Sequence, residues 1–174
     1  MTGEMQRVLV IGCPGAGKST FARKLHELTS LPLIYLDMLW HKPDRTNYPQ
    51  AEFDNALTAV LETDRWIIDG NYQRTMEMRL KRCTTVFFLD YPLEVCLAGA
   101  EERIGTKRDD MPWVETEFDP EFRQWILDFS EDQIPRIHSL LLQYGDGRDI
   151  RWFRSRQEAD DFLSALSAAQ GPSG

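Results

Sequence analysis

Several things are scarce in this sequence. Only three of its 174 residues are cysteine, Cys13, Cys83 and Cys96. Their number is odd and their spacing matches no metal-binding pattern, which argues against a disulfide framework or a zinc module and suits a reducing cytoplasm. No apolar run comes near the roughly 20 residues that span a bilayer, so no membrane association is expected. The first apolar stretch is too short for a signal peptide and ends in a glycine-rich loop. There is no internal repeat. Positive charge is the minority sign: 20 Lys and Arg stand against 28 Asp and Glu, a net charge of −8. A broad nucleic-acid groove needs clustered Lys and Arg, so direct nucleic-acid binding is not expected. A small basic pocket inside an acidic protein remains compatible with this balance. With 42% hydrophobic residues the chain can bury a core of its own. The reading is one domain over 1–168 followed by a flexible tail at 169–174.

What is present is concentrated at the start. Val8-Leu9-Val10-Ile11 is an apolar run that predicts a fully buried strand. Gly12-Cys13-Pro14-Gly15-Ala16-Gly17-Lys18-Ser19 follows and fits G-x-x-x-x-G-K-[ST] at every fixed position. Phe21, Ala22, Leu25 and Leu28 then recur at helical spacing. Strand, loop and helix in that order supply the context that the motif requires. A phosphate chain is a dense anion, and backbone N–H groups at a helix N-terminus receive it well. Glycines let such a loop curl and approach closely. Gly12, Pro14, Gly15, Ala16, Gly17, Lys18, Ser19 and Thr20 are therefore the candidate ATP-binding set. Lys18 is expected to reach the outer phosphates and the Ser19 hydroxyl to ligate Mg²⁺.

The rest alternates between strands and helices. After a helix over about Lys18–Thr29, Leu33–Leu36 predicts a second strand ending at Asp37, and 38–50 a loop. Phe53 to Leu61 carries a helical stripe. Trp66-Ile67-Ile68 predicts the third strand, closed by Asp69-Gly70, and Gln73–Arg82 a helix. Thr85–Leu89 predicts the fourth strand, ending at Asp90. Pro92 opens a helix that stops near Gly105. The lid-like segment, about 105–118, is polar and irregular. Asp119 with Pro120 starts the next helix, Pro135–Tyr144 forms another, and Ile150–Phe153 is the fifth strand. Ser155 and Glu158 make a capping box for the last helix. Alternation of this kind means a parallel sheet covered on both faces, with ligands at the carboxyl ends of the strands. Asp37, Asp69 and Asp90 are then expected to gather near the glycine-rich loop.

The segments GCPGAGKST, IYLDMLWH, WIIDGNYQRTMEMRL and VFFLDYPLEVCLAGAEERI resemble P-loop kinases of the adenylate kinase type. Within that group the likeness is greatest to a branch labelled "DNA topology modulation protein", which shares the Trp-Ile-Ile-Asp-Gly-Asn-Tyr block and a C-terminal strand followed by Phe-Leu. The resemblance covers nearly the whole chain. It implies a three-layer α/β/α P-loop fold with a five-stranded parallel sheet in the order 2-3-1-4-5. Asp69 would then lie beside the first strand and hold Mg²⁺ through water.

Two departures follow from the same resemblance. Adenylate kinases place an arginine four residues after the Asp of the Asp-Gly block; here that position is Gln73, with Arg74 next. Of two arginines on the helix after the fourth strand, one position is Gly99 and the other Arg103. The arginine clamp on an acceptor phosphate is thus thinner, and Arg103 is left to stabilise the moving phosphoryl group. Nucleotide-accepting relatives have a phosphate-binding arginine after the second strand, whereas hydroxyl-phosphorylating ones often have an Asp. Asp37 is accordingly read as the carboxylate that orients the acceptor, or else as a Mg²⁺ ligand through water or a cap at the strand end. Asp90 is placed to cap the helix after Pro92. Lys107 and Arg108 are candidates to close over the phosphates. Trp40, His41, Tyr48 and Tyr72 divide between acceptor pocket and core, and Arg154 and Arg156 stand near the expected adenine.

Lys18, Asp37 and Arg103 are thus the candidate catalytic residues, and Ser19 and Asp69 the metal set. The chemistry they suit is ATP- and Mg²⁺-dependent phosphoryl transfer to a small-molecule acceptor. A nucleoside monophosphate kinase and an ATP-binding regulator of the DNA-topology type are the two alternatives.

Overall fold

The computed structural model describes residues 5–170. Five strands, β1 (Arg7–Gly12), β2 (Leu33–Tyr35), β3 (Trp66–Asp69), β4 (Thr85–Leu89) and β5 (Asp149–Phe153), form one sheet in the order β2-β3-β1-β4-β5. Every pairing is parallel. Val8 to Ile11 of the central strand are fully buried, as their continuous apolar run predicts. The helices are α1 (Lys18–Thr29), α2 (Leu36–Trp40), α3 (Gln50–Leu61), α4 (Gln73–Leu80), α5 (Leu93–Glu102), α6 (Pro120–Asp132), α7 (Ile134–Tyr144) and α8 (Arg156–Ala169).

Successive residues of β4 show how three layers arise. Side chains alternate across a strand. Phe87 meets Phe21 of α1 at 5.1 Å and Phe162 of α8 at 5.0 Å, so these helices cover one face. Its neighbour Phe88 points the other way, to Trp152 at 4.7 Å and to His138 of α7 at 6.3 Å. Both phenylalanines are fully buried, and truncating either to Ala should cost about 3–5 kcal/mol. Helix α7 in turn packs on α4 and α6.

Register brings the strand ends together. Val10 pairs with Asp69, and Asp69 with Tyr35. Since β3 stops at Asp69, Leu36 finds no partner for a longer β2. The expected strand over Leu33–Leu36 therefore ends at Tyr35, and the expected loop from 38 onward begins with helix α2. Leu36 is fully buried, and Trp40 meets Phe53 edge-on at 5.6 Å. That packing holds this short turn as a helix. Asp37 sits in the first turn of α2 rather than at a strand end.

Three caps were expected. Asp119 caps α6, accepting from the Glu121 N–H at 3.0 Å. Ser155 caps α8 through the Glu158 N–H at 3.2 Å. The Glu158 carboxylate, however, accepts from the Arg154 N–H rather than returning to Ser155. Asp90 does not cap α5, whose N-cap position is Pro92 and which has no side-chain cap. Asp90 instead accepts from Trp152 Nε1 at 3.2 Å and lies 3.8 Å from Arg154 Nη1. Of the expected tail, Ala169 closes α8 and Gln170 donates to the Leu28 carbonyl; 171–174 lie outside the described residues.

Candidate active site

The glycine-rich loop joins β1 to α1. Gly17, at φ 94°, turns the chain into α1, whose N-terminus has neither a side-chain cap nor an acidic residue in its first turn. Its leading N–H groups are thus left for an external anion. Gly15 has φ 85°, and a Cβ there would lie 2.0 Å from the Cys96 carbonyl oxygen of α5. Loop and helix touch backbone to backbone. The same contact explains Gly99: a Cβ at that position would meet the Gly15 carbonyl oxygen at 2.1 Å and Arg156 Nη2 at 3.0 Å. No arginine fits at Gly99, and the guanidinium of Arg156 comes in from α8 instead.

Two cavities flank the loop. The smaller, about 460 Å³, is lined by Gly15, Ala16, Gly17, Thr20 and, from the far side, Arg156. The larger, about 600 Å³, is lined by Pro14, Lys18, Asp37, Asp69, Asp110 and Tyr72, among others. Ser19 and Arg103 line both. Gly12, read as part of the ATP set, lines neither. Its N–H donates to Asn71 Oδ1 at 3.0 Å and its carbonyl accepts from Asn71 Nδ2 at 2.6 Å. Gly12 therefore anchors the loop from beneath.

The carboxylates gather differently from expectation. Asp37 and Asp69 face the larger cavity, but the acids that join them there are Asp110, Glu115 and Asp119 of the 103–119 connection, not Asp90. Asp90 is engaged by Trp152 on the β5 side. Asp110 is buried and lies 3.6 Å from Arg108. Nothing in the local pattern around Asp110 marks it, because its placement depends on where an irregular segment folds back.

Asp69 is buried and its Oδ1 has no partner. Burial above all pushes its carboxyl up to about 7; Asp37 and Asp110 push the same way, against Lys18 and Arg103. A buried, under-partnered carboxylate beside Ser19 suits a cation, and this donor chemistry fits Mg²⁺, which keeps water and phosphate oxygens among its ligands. Among the described residues no group of three or more His, Cys, Asp or Glu could hold a metal ion by itself. Arg103 Nε is buried without a partner, and burial together with the neighbouring Arg108 lowers its pKa. Asp110, Glu115 and Asp37 act on it in the opposite sense. Lys18 Nζ lies over the loop, 3.5 Å from the Cys13 carbonyl.

Asp37 accepts from the Tyr72 hydroxyl at 2.6 Å, and His41 Nε2 lies 3.9 Å away. Burial and Asp37 both drive the Tyr72 pKa up, so the phenol stays a donor. Tyr72 has φ 30°, in the left-handed region. Arg79 holds it there. This fully buried arginine donates to the carbonyls of Gly70 (2.9 Å), Asn71 and Tyr72 (3.2 Å), and to Thr75 Oγ1 (3.2 Å). The Asp-Gly-Asn-Tyr turn is thus tied to the glycine-rich loop through Asn71 and to α4 through Arg79.

The remaining candidates separate cleanly. His41, Tyr72 and Arg108 line the larger cavity, while Trp40, Tyr48 and Lys107 do not. Arg154 lies over the Trp152 ring, 4.7 Å from its centre, and lines neither cavity. Arg74 is paired with Asp54 at 2.7 and 3.2 Å and also stays outside.

No family model matches the chain. Adenylate kinases of Thermotoga petrophila and Thermotoga maritima are each 30% identical to it over 97 residues, 54% of this chain and 43% of the relative. The matched stretch is less than half the length of those curated relatives. Among solved structures, a shikimate kinase from Acinetobacter baumannii in complex with shikimate superposes with a TM-score of 0.59 at 15% identity, over 97% of this chain and 96% of that one. A gluconokinase from Sinorhizobium meliloti gives 0.53 at 15%, over 94% and 90%. The chain has the P-loop kinase fold. The sheet order, the β1-loop-α1 unit and the flanking helices are those of that fold. No helix among the described residues is long and apolar enough to cross a membrane.

Proposed function

We propose that this protein is an ATP-dependent phosphotransferase that acts on a hydroxyl of a small molecule. One observation carries the reading: two cavities, one walled by the glycine-rich loop and one by carboxylates and aromatic rings, meet at Ser19 and Arg103. A kinase needs such a junction, because its two substrates must present one phosphoryl group to one oxygen.

In this reading the backbone N–H groups of Gly15, Gly17 and Lys18 cradle the triphosphate, with Pro14, Ala16 and Thr20 shaping the loop. Arg156 approaches the nucleotide from α8, in place of the side chain that Gly99 lacks. Ser19 and, through water, Asp69 hold Mg²⁺, which when bound neutralises charge on the β- and γ-phosphates. Asp37 accepts the acceptor's hydroxyl proton. The oxygen then bonds to the γ-phosphorus while the bond to the β-phosphate oxygen breaks and ADP leaves. Tyr72 fixes the orientation of Asp37. Lys18 and Arg103 offset negative charge on the moving group. Little covalent chemistry falls to the protein, so positioning and electrostatics set the rate.

Arg74 weighs against a nucleoside monophosphate acceptor: it is held by Asp54, away from the cavity. Within the proposal, the likeness to the DNA topology modulation branch rests on the Trp66–Tyr72 block, and the Asn71 and Arg79 bonds supply a structural reason for that block. A cytoplasmic setting suits the three free cysteines. The direct test is transfer of labelled γ-phosphate from ATP, with Mg²⁺, to a panel of small alcohols. Transfer that disappears in Asp37→Asn supports the reading, and ATP hydrolysis without transfer to any alcohol opposes it.

A further inference from the structure

We infer that the acceptor is an alcohol bearing no phosphate or carboxylate, which turns a neutral or cationic face to an aromatic wall. This rests on the phosphotransfer reading and narrows the substrate of the same site.

The cations decide what charge the cavity tolerates. Three cationic side chains line it: Lys18, Arg103 and Arg108. Lys18 lies over the glycine-rich loop and Arg103 also reaches the nucleotide-side cavity, so a bound triphosphate draws on both. Arg108, with 17% of its side chain exposed, faces the Asp110 carboxylate at 3.6 Å. Arg74 is turned outward onto Asp54. Arg108 and Arg74 are thus taken up by carboxylates, which leaves an anionic acceptor only Lys18 and Arg103, the two cations that the triphosphate also draws on. Such an acceptor would also face Asp37, Asp69, Asp110, Glu115 and Asp119, and like charges repel.

The wall is apolar at its outer end. Trp113, Phe118, Phe122 and Trp125 line the cavity there. Trp125 keeps 41% of its surface exposed, so part of its ring is open to a ligand in the cavity. Trp113 has the His41 ring 5.0 Å from its centre and the Arg45 guanidinium over it at 5.6 Å, so this ring already receives one cation. Aromatic faces hold flat apolar rings and cations alike. The surrounding carboxylates favour the cation.

The test compares matched acceptors with the full chain. Glucosamine is set against gluconate, and adenosine against AMP, each with Mg²⁺ and ATP, and phosphorylated product is followed by phosphorus NMR. The same compounds are scored by the rise in melting temperature in the presence of Mg²⁺ and a non-hydrolysable ATP analogue. In every pair that shows turnover or stabilisation, the uncharged or cationic member should give at least tenfold higher kcat/KM, or the larger rise at equal concentration. A preference for gluconate or AMP overturns the inference. So does a wider panel of sugars, amino sugars, nucleosides and amino alcohols in which none is turned over or raises the melting temperature. The analogue alone separates the two readings. If it stabilises the wild type and not Lys18→Ala while every acceptor fails, the nucleotide side stands and the acceptor class falls. If it never stabilises the protein, the phosphotransfer reading itself falls.

Discussion

Asn71 holds both backbone polar groups of Gly12: its Nδ2 donates to the Gly12 carbonyl at 2.6 Å and its Oδ1 accepts the Gly12 N–H at 3.0 Å. One side-chain amide thereby fastens the turn after β3 to the start of the glycine-rich loop. Asn71→Ala leaves both groups unsatisfied and should lower stability by about 1–3 kcal/mol. Nucleotide affinity should fall roughly tenfold as the loop loosens, a loss of about 1.4 kcal/mol. Asn71→Asp should not rescue it, because a carboxylate cannot donate to the Gly12 carbonyl. Urea denaturation and nucleotide titration of the two variants check this.

Arg79 satisfies three successive carbonyls from a fully buried position. Burial lowers its pKa to about 9, but at neutral pH it remains charged. Arg79→Met should cost on the order of 3 kcal/mol or more, because three carbonyls lose their donor. Arg79→Lys should recover little, since a single ammonium cannot reproduce the planar fork. Melting temperature and denaturant midpoint are the readouts.

Asp69 makes stability depend on pH in a definite direction. Its carboxyl is raised from 3.8 to about 7 in the folded chain. Between those values the folded state binds a proton that the unfolded state releases. The contribution to stability is therefore greatest at low pH and falls as pH rises toward 7. Asp69→Asn should melt higher than the wild type at pH 8, by an amount on the order of a few kcal/mol. The gap should close toward pH 4. In the opposite sense, Mg²⁺-dependent nucleotide affinity should weaken in the wild type below pH 7 and be largely lost in the variant at every pH.

Asp37 and Tyr72 can be separated kinetically. Asp37→Asn should lower kcat by about 10²–10⁴-fold, the range for loss of a general base, with little change in nucleotide affinity. Tyr72→Phe removes only the hydrogen bond that orients Asp37 and should cost far less in kcat. Comparable losses in the two variants would assign the base to neither residue alone. Steady-state kinetics with whichever acceptor the panel identifies supplies the measurement.

Much of this arrangement was legible in the sequence, and the illegible parts share a cause. The buried β1, the loop and the strand order follow from local pattern and from the resemblance that the motifs carry. Asp69 was legible because a strand end next to β1 has one place to be. Asp37 reads as a strand end because the sequence carries β2 too far: β3 ends at Asp69, opposite Tyr35, and only that tertiary fact converts Leu36–Trp40 from strand and loop into helix. Asp110 replaced Asp90 because the course of an irregular segment is set by distant packing, whereas Asp90 was already claimed by Trp152. Arg79 looked like one more polar residue of a charged helix. Its burial follows from three carbonyls forced inward by the Tyr72 turn, which no spacing rule reports. Gly99 read as a missing arginine and is a contact point for the Gly15 carbonyl.

At the centre of the proposal, the loop from Pro14 to Ser19 receives a triphosphate, and Ser19 and Asp69 would hold the Mg²⁺ that offsets its charge. Calorimetric titration of the non-hydrolysable ATP analogue into the full chain, with and without Mg²⁺, tests it most directly. One site should bind in the micromolar range with Mg²⁺, weaken without it, and be lost in Lys18→Ala by about 100-fold or more, or about 2.7 kcal/mol. Absence of heat from the wild type with Mg²⁺, or unchanged binding in Lys18→Ala, would contradict the account.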